Sequence, residues 1–65
     1  MNTANYNLQN KTVVITGAAR GIGFAIAEAF AVQGSHVVIV DLARDSVDQA
    51  VQSLTQRGFS ASGEV

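Results

Sequence analysis

The sequence predicts an α/β fold built on a parallel β-sheet. Two continuous runs of β-branched residues, 13–15 (Val-Val-Ile) and 37–40 (Val-Val-Ile-Val), indicate strands that are buried on both faces, as is typical of parallel sheets. Apolar residues at helical spacing lie between the two runs, and a second helical pattern follows them. This order is that of two parallel strands joined by a crossover helix.

The first helix is indicated by Ile22, Ala25, Ile26, Ala29 and Phe30. These residues recur at a spacing of three and four, so we expect them to form the buried face of the helix. We expect the helix to stop at a glycine that adopts the left-handed cap conformation. That glycine is Gly34.

The second helix follows residues 37–40. Ser46 and Gln49 have the form of a capping box, which predicts that the helix starts there. Its apolar stripe consists of Val47, Ala50, Val51 and Leu54, and Gly58 is expected to end it. The remaining residues, 60–65, are interpreted as the opening of a third strand that the chain does not complete.

Two successive right-handed crossovers that advance in one direction place both helices on the same side of a sheet. The other side of the sheet would then be uncovered, although both runs of β-branched residues are suited to burial on both faces. We therefore expect part of the cover to lie outside these 65 residues, and we interpret the chain as a fragment.

The composition limits the class of protein. A chain of 65 residues forms one small domain at most, and with 48% hydrophobic and 14% charged residues it is suited to a packed core. The net charge of −1 gives no basic surface, so we expect no nucleic acid and no membrane as partner. The chain has no cysteine and no recognisable targeting signal at its start, and we expect a cytoplasmic location.

The residues that carry chemistry lie at the first strand-to-helix turn, 16–23 (Thr-Gly-Ala-Ala-Arg-Gly-Ile-Gly). In a dinucleotide site, one glycine allows a sharp turn, a second lets the backbone approach the pyrophosphate, and a third lets helix and strand pack closely. The unpaired amides at the helix start then bind the phosphates. The alternative is that these glycines serve only a tight turn.

An acidic residue at the end of the second strand favours the dinucleotide interpretation. Asp41 lies 18 residues beyond Gly23, close to the spacing of about 20 expected for a carboxylate that binds an adenosine ribose. The sequence contains no Gly-Lys-Ser/Thr, which excludes the phosphate loop of a nucleoside triphosphatase.

The chain resembles the short-chain dehydrogenase/reductase family, whose Thr-Gly-x-x-x-Gly-x-Gly motif is matched by Thr16, Gly17, Gly21 and Gly23. Four further residues also look like the family pattern: Leu8, Lys11, Ile15 and Asp41. The resemblance implies a Rossmann-type, doubly wound parallel sheet, of which only the first β-α-β-α portion is present. Residues 1–65 would be the incomplete N-terminal part of a single NAD(P)-binding domain, similar to that of bacterial 3-oxoacyl-carrier-protein reductases and related alcohol dehydrogenases.

The resemblance also implies which residues bind the cofactor: Thr16, Gly17, Ala19, Arg20, Gly21, Ile22, Gly23, Asp41 and Leu42. We expect NAD rather than NADP, because the charge of Asp41 would repel the 2′-phosphate of NADP. Arg20 argues in the opposite direction, since a basic residue at its position often accompanies NADP use in the family. For the full-length protein we expect a small alcohol or carbonyl substrate and a homo-oligomeric state.

No catalytic residue is assigned. The family's catalytic Tyr-x-x-x-Lys motif lies downstream of the glycine turn, and the one tyrosine, Tyr6, has no lysine four residues on and is interpreted as a packing residue. His36 stands alone, so no metal site is expected.

Three hypotheses remain: the cofactor-binding part of an NAD(P)-dependent oxidoreductase, a non-catalytic module that senses a dinucleotide, and an inert truncated product. The favoured one is the oxidoreductase, with no activity expected for the 65-residue chain alone.

Overall fold

A computed structural model describes residues 10–65, which form three strands and two helices in alternation. The elements are β1 (Thr12–Thr16), α1 (Gly21–Val32), β2 (His36–Val40), α2 (Arg44–Gln56) and β3 (Ala61–Glu64). The predicted order is confirmed, and the segment after Gly58 forms a third strand. The expectations for Leu8 and Tyr6 fall outside the described residues.

The three strands form one parallel sheet in the order β1-β2-β3. Thr12 pairs with His36, and Val37 pairs with Ala61, so each step across the sheet corresponds to 24 residues of chain. Because the strands are parallel and in register, their carboxyl ends meet at one edge. Thr16 lies opposite Val40 at that edge.

Both helices cover the same face of the sheet, as predicted. Val37 and Ile39 of β2 are completely buried in one core with residues of both helices. Side chains alternate between the two faces of a strand, so Val38 and Val40 lie on the opposite face. We call this the open face; on it Val14 of β1 is 62% exposed.

The prediction for the buried face of α1 is confirmed only for Phe30, which is half-buried and packs against the core. Ile22 is 82% exposed and Ile26 is 45% exposed, whereas Ala27 and Ala31 are buried. The helix is apolar on nearly every side, so the spacing of its large residues does not determine which face packs. The structure instead places small residues against the sheet and the turn, which allows a close approach.

Within residues 10–65, no helix is both long and apolar enough to cross a membrane.

Both helices end at the predicted glycines. Gly34 and Gly58 have φ values of 96° and 87°, which an L side chain rarely adopts. The amide of Ser35 donates to the carbonyl of Phe30 at 3.2 Å, and the corresponding bond follows α2. Each helix therefore ends in a Schellman motif, which satisfies carbonyl groups of the last turn.

The predicted N-cap of α2, Ser46, is wrong by three residues. The helix begins at Arg44 with Ala43 as N-cap, so Ser46 lies inside the first turn and no side chain caps the helix. The amide of Val47 donates to the carbonyl of Ala43 at 3.0 Å, which closes the first turn ahead of the supposed capping box. The apolar stripe of α2 is confirmed, because Val47, Ala50 and Leu54 are buried.

Candidate functional site

The glycine-rich turn lies at the carboxyl edge of the sheet. Residues 17–20 connect β1 to α1, and Asp41 follows the neighbouring end of β2. The amide of Ala18 donates to the carbonyl of Val40 at 3.3 Å, which extends the contact between the two strands into the turn. The turn and Asp41 therefore belong to one small region.

The three glycines of the turn differ in what their positions require. Gly17 and Gly21 have φ values of 65° and 67°, with open space where a side chain would lie. Gly23 has no such space, because an added Cβ would collide with the carbonyl oxygen of Gly17. This geometry has a sharp turn, an open backbone position and a close helix contact, which are the three features expected of a dinucleotide turn.

Asp41 is fixed by two backbone amides. Its Oδ1 accepts a hydrogen bond from the amide of Leu42 at 2.8 Å, and its Oδ2 accepts one from the amide of Ala19 at 3.1 Å. The Leu42 and Ala19 amides and the charge of Arg20 hold the pKa of Asp41 below its ordinary value of 3.8, although desolvation acts in the opposite direction. The carboxylate is therefore charged at neutral pH.

The start of α1 lacks negative charge from its own residues. Its N-cap is Arg20, whose side chain makes no capping bond, and its first turn contains no acidic residue. The amides at a helix start have no partner within the helix, and the helix dipole places partial positive charge there. This end of α1 is therefore suited to an anion that approaches over the open backbone of Gly21.

The structure brings most of the predicted cofactor-binding residues together at this edge. Leu42 is 93% exposed directly beside Asp41, and Arg20 leads into the helix start. Thr16 differs, because it lies on the open face of β1 together with Val14, away from the helices. The exposed members of the predicted set are Thr16, Gly17, Arg20, Gly21, Ile22 and Leu42, and the half-buried ones are Ala19, Gly23 and Asp41.

Sequence reasoning missed Ala18. This residue is completely buried in the core and connects the turn to β2 through its amide. It occupies a variable position of the glycine motif, and alanine in that position carries no signal in a single sequence. The bond between Ala19 and Asp41 was missed for a different reason, because it depends on the exact path of the turn.

A protein-family model described as short chain dehydrogenase matches residues 11–63 of this chain. An uncharacterised oxidoreductase of Bacillus subtilis, YxbG, is 48% identical over 54 residues, which are 83% of this chain and 20% of that protein. A short-chain dehydrogenase/reductase from Burkholderia phymatum, solved in complex with NAD, superposes with a TM-score of 0.84 at 32% identity, covering 91% of this chain and 21% of that one.

L-sorbose reductase from Gluconobacter frateurii, solved with NADPH and L-sorbose, gives a TM-score of 0.81 at 38% identity and covers 89% of this chain and 23% of that one. These similarities confirm the α/β fold of the Rossmann type. The chain spans about a fifth of the length of the curated relatives it matches. The narrower likeness to 3-oxoacyl-carrier-protein reductases, the homo-oligomeric state and the cytoplasmic location stay predictions.

Proposed function

Because this chain belongs to the short-chain dehydrogenase family, we propose that it forms the dinucleotide-binding part of an NAD(P)-dependent oxidoreductase. The proposed reaction transfers a hydride between the nicotinamide and an alcohol or carbonyl substrate. The observation that carries the proposal is the hydrogen bond from the Ala19 amide to Asp41. This bond joins a carboxylate suited to ribose with a turn suited to pyrophosphate.

The turn fits the pyrophosphate of a dinucleotide. Gly21 leaves open space over its backbone, and the adjoining start of α1 presents unpaired amides without an acidic side chain. Arg20 adds a positive charge at the same place. In this proposal Thr16, Gly17 and Gly23 shape the turn, and the amides after Arg20 receive the phosphate oxygens.

The adenosine end of the cofactor is assigned to Asp41 and Leu42. Asp41 follows β2 with its carboxylate held by two amides, and such a carboxylate accepts hydrogen bonds from ribose hydroxyls. The exposed side chain of Leu42 offers an apolar surface beside it for the adenine ring. Ile22, the second residue of α1, is assigned to the pyrophosphate-binding end of that helix.

We propose NAD as the preferred cofactor. One structural neighbour was solved with NAD and another with NADPH, so the family alone does not decide between the two. Asp41 is charged and fixed in place, and it would repel the 2′-phosphate of NADP. Arg20 is exposed and free to turn into water, so we expect Asp41 to outweigh it.

The bound nicotinamide would supply or accept the hydride. The role of this chain is to bind and orient the cofactor, and no residue in it is assigned a proton-transfer step. We place the catalytic Tyr-x-x-x-Lys motif of the family outside residues 1–65, because the one tyrosine, Tyr6, has Asn10 four residues on. Substrate recognition is likewise assigned to other parts of the full-length protein, meaning the complete polypeptide that carries these 65 residues.

The proposal is tested with the full-length protein. Calorimetric titration with NAD, with NADP and with ATP as a control is expected to give NAD affinity in the micromolar to millimolar range and weaker binding of the other two. A panel of alcohols is then tested for NAD reduction and a panel of carbonyl compounds for NADH oxidation, both followed by absorbance. NAD binding without turnover of any alcohol or carbonyl would favour a sensing module. No binding of either dinucleotide would contradict the proposed function.

A further inference from the structure

The glycine-rich turn is attached to β2 by two consecutive amides. The amide of Ala18 bonds to the backbone carbonyl of Val40, and that of Ala19 bonds to the side chain of Asp41, at 3.3 and 3.1 Å. The first bond continues the pattern of the parallel sheet. The second depends on the identity of a side chain that lies 22 residues away in sequence.

Ala19 lies in the middle of the glycine-rich turn. The glycines on either side of it, Gly17 and Gly21, both have positive φ values, and glycine loses more conformational entropy on ordering than other residues. A hydrogen bond to a charged acceptor is stronger than one between neutral groups. The Asp41 carboxylate is thus placed where a single bond restricts the turn effectively.

The orientation of the carboxylate is itself fixed, because its other oxygen accepts the Leu42 amide. A carboxylate has about four acceptor sites on its two oxygens. The two amides occupy one site on each oxygen and leave the others for the hydroxyls of a ribose. Contact with the turn and contact with a ribose are therefore compatible in Asp41.

We propose that Asp41 is a positioning residue for the glycine-rich turn, which it holds in the pyrophosphate-binding conformation before any cofactor arrives. Its effect on the phosphates is then separate from its contact with the ribose. The effect of Asp41 on the turn follows from the hydrogen bonds of this chain alone, whereas its effect on the phosphates rests on the proposed function.

The first test is amide hydrogen exchange in the cofactor-free, full-length protein. Asp41→Ala is expected to raise the exchange rate of Ala19 about tenfold or more, while Ala18, which bonds to the backbone, changes little. Asp41→Asn keeps one acceptor oxygen, so the exchange rate of Ala19 in this variant is expected to lie between the rates in wild type and in Asp41→Ala. The matched control is Asp45→Ala, which removes the same charge from an exposed carboxylate on α2. Equal exchange of Ala19 in wild type and both Asp41 variants would overturn the proposal.

The second test separates the turn from the ribose. It uses an NAD analogue that lacks the 2′ and 3′ hydroxyls of the adenosine ribose. If Asp41 acts only on the ribose, Asp41→Ala binds this analogue as well as wild type does, and that result would overturn the proposed effect on the phosphates. We expect Asp41→Ala to bind it about threefold to tenfold more weakly, because the turn is no longer ordered in advance. Failure of wild type to bind NAD at all would refute the proposed function and leave the exchange result standing.

Discussion

The two β–α units of this chain are built on the same 24-residue step but connect strand to helix in different ways. In the first unit, four residues (17–20) lie between β1 and α1, with a positive φ at Gly17 and again at the first helical residue, Gly21. In the second unit, three residues (41–43) lie between β2 and α2, and neither they nor the first helical residue, Arg44, have a positive φ.

The helix starts also differ in charge. The second residue of α2 is Asp45. The same helix also contains an ion pair between Arg44 and Asp48, at 3.3 Å. The second residue of α1 is Ile22, and the first turn has no acidic residue. A carboxylate in the first turn favours the positive end of the helix dipole. Therefore α2 carries its own anion, whereas α1 does not, which makes its start suited to an anionic ligand.

The largest effect is expected from Gly21→Val. The branched side chain would occupy the space over the turn and strain a backbone position with φ of 67°. Each lost hydrogen bond to a charged phosphate is worth about 1.5–3 kcal/mol, so losing two should weaken NAD binding more than about 100-fold. Calorimetric titration of the full-length protein measures this.

Gly58→Val is the matched control for that variant. Gly58 also has a positive φ and open space around it, but it ends α2 at the opposite edge of the sheet. Gly58→Val should lower the free energy of unfolding by an amount similar to Gly21→Val. It should leave NAD affinity within about twofold of wild type, since distant sites act independently. Equal loss of NAD affinity in both variants would mean that backbone strain, and not the site, explains the effect.

The next effect concerns cofactor choice and is tested with Asp41→Ala. We expect wild type to prefer NAD over NADP by on the order of 100-fold in kcat/KM, because like-charge contacts disfavour the 2′-phosphate. In the variant that preference should fall below about tenfold. If the wild-type kcat/KM with NADP equals or exceeds that with NAD, Arg20 and not Asp41 governs the choice of cofactor.

A smaller effect is expected when the charge of α2 is copied into α1. Ile22→Asp places a carboxylate at the second helical position, as Asp45 does in α2. It should weaken NAD binding about tenfold relative to Ile22→Asn, a variant of the same shape without charge. Thermal unfolding of the cofactor-free protein should show no loss of stability for Asp relative to Asn. Equal NAD affinity of the two variants would argue against an anion at this helix start.

The smallest effect is expected from Asp45→Asn, which removes the acidic residue from α2. The free energy of unfolding should fall by about 0.3–1 kcal/mol, because the helix dipole loses its charged partner. NAD affinity should not change. A measurable change in affinity would mean that the two helix starts are not independent, which would weaken the comparison between them.

The same two units show what the sequence could predict. The turn was recognisable because three glycines at fixed spacing meet backbone requirements that few other residues meet, and Asp41 follows a clear run of β-branched residues. The buried face of α2 was also predictable, since polar residues alternate with Val47, Ala50 and Leu54. Periodicity is informative where a helix has two unlike sides.

The failures have physical causes as well. In α1 both sides are apolar, and close packing against the turn and the sheet selected Ala27 and Ala31 over the larger Ile22 and Ile26. The start of α2 was misplaced because a Ser-x-x-Gln pattern does not show whether a turn has already closed upstream. The bond between Ala19 and Asp41 depends on the exact path of the turn, which is decided by tertiary contacts.

The constant step of 24 residues between paired strands has a consequence for how the sheet assembles during synthesis. A parallel strand has no partner until the following helix and the next strand have left the ribosome. At about 5–20 residues per second, each step takes roughly one to five seconds. β1 can therefore pair with β2 only after residues 36–40 have been synthesised, and the hydrogen bond between the glycine-rich turn and Asp41 cannot form before that point.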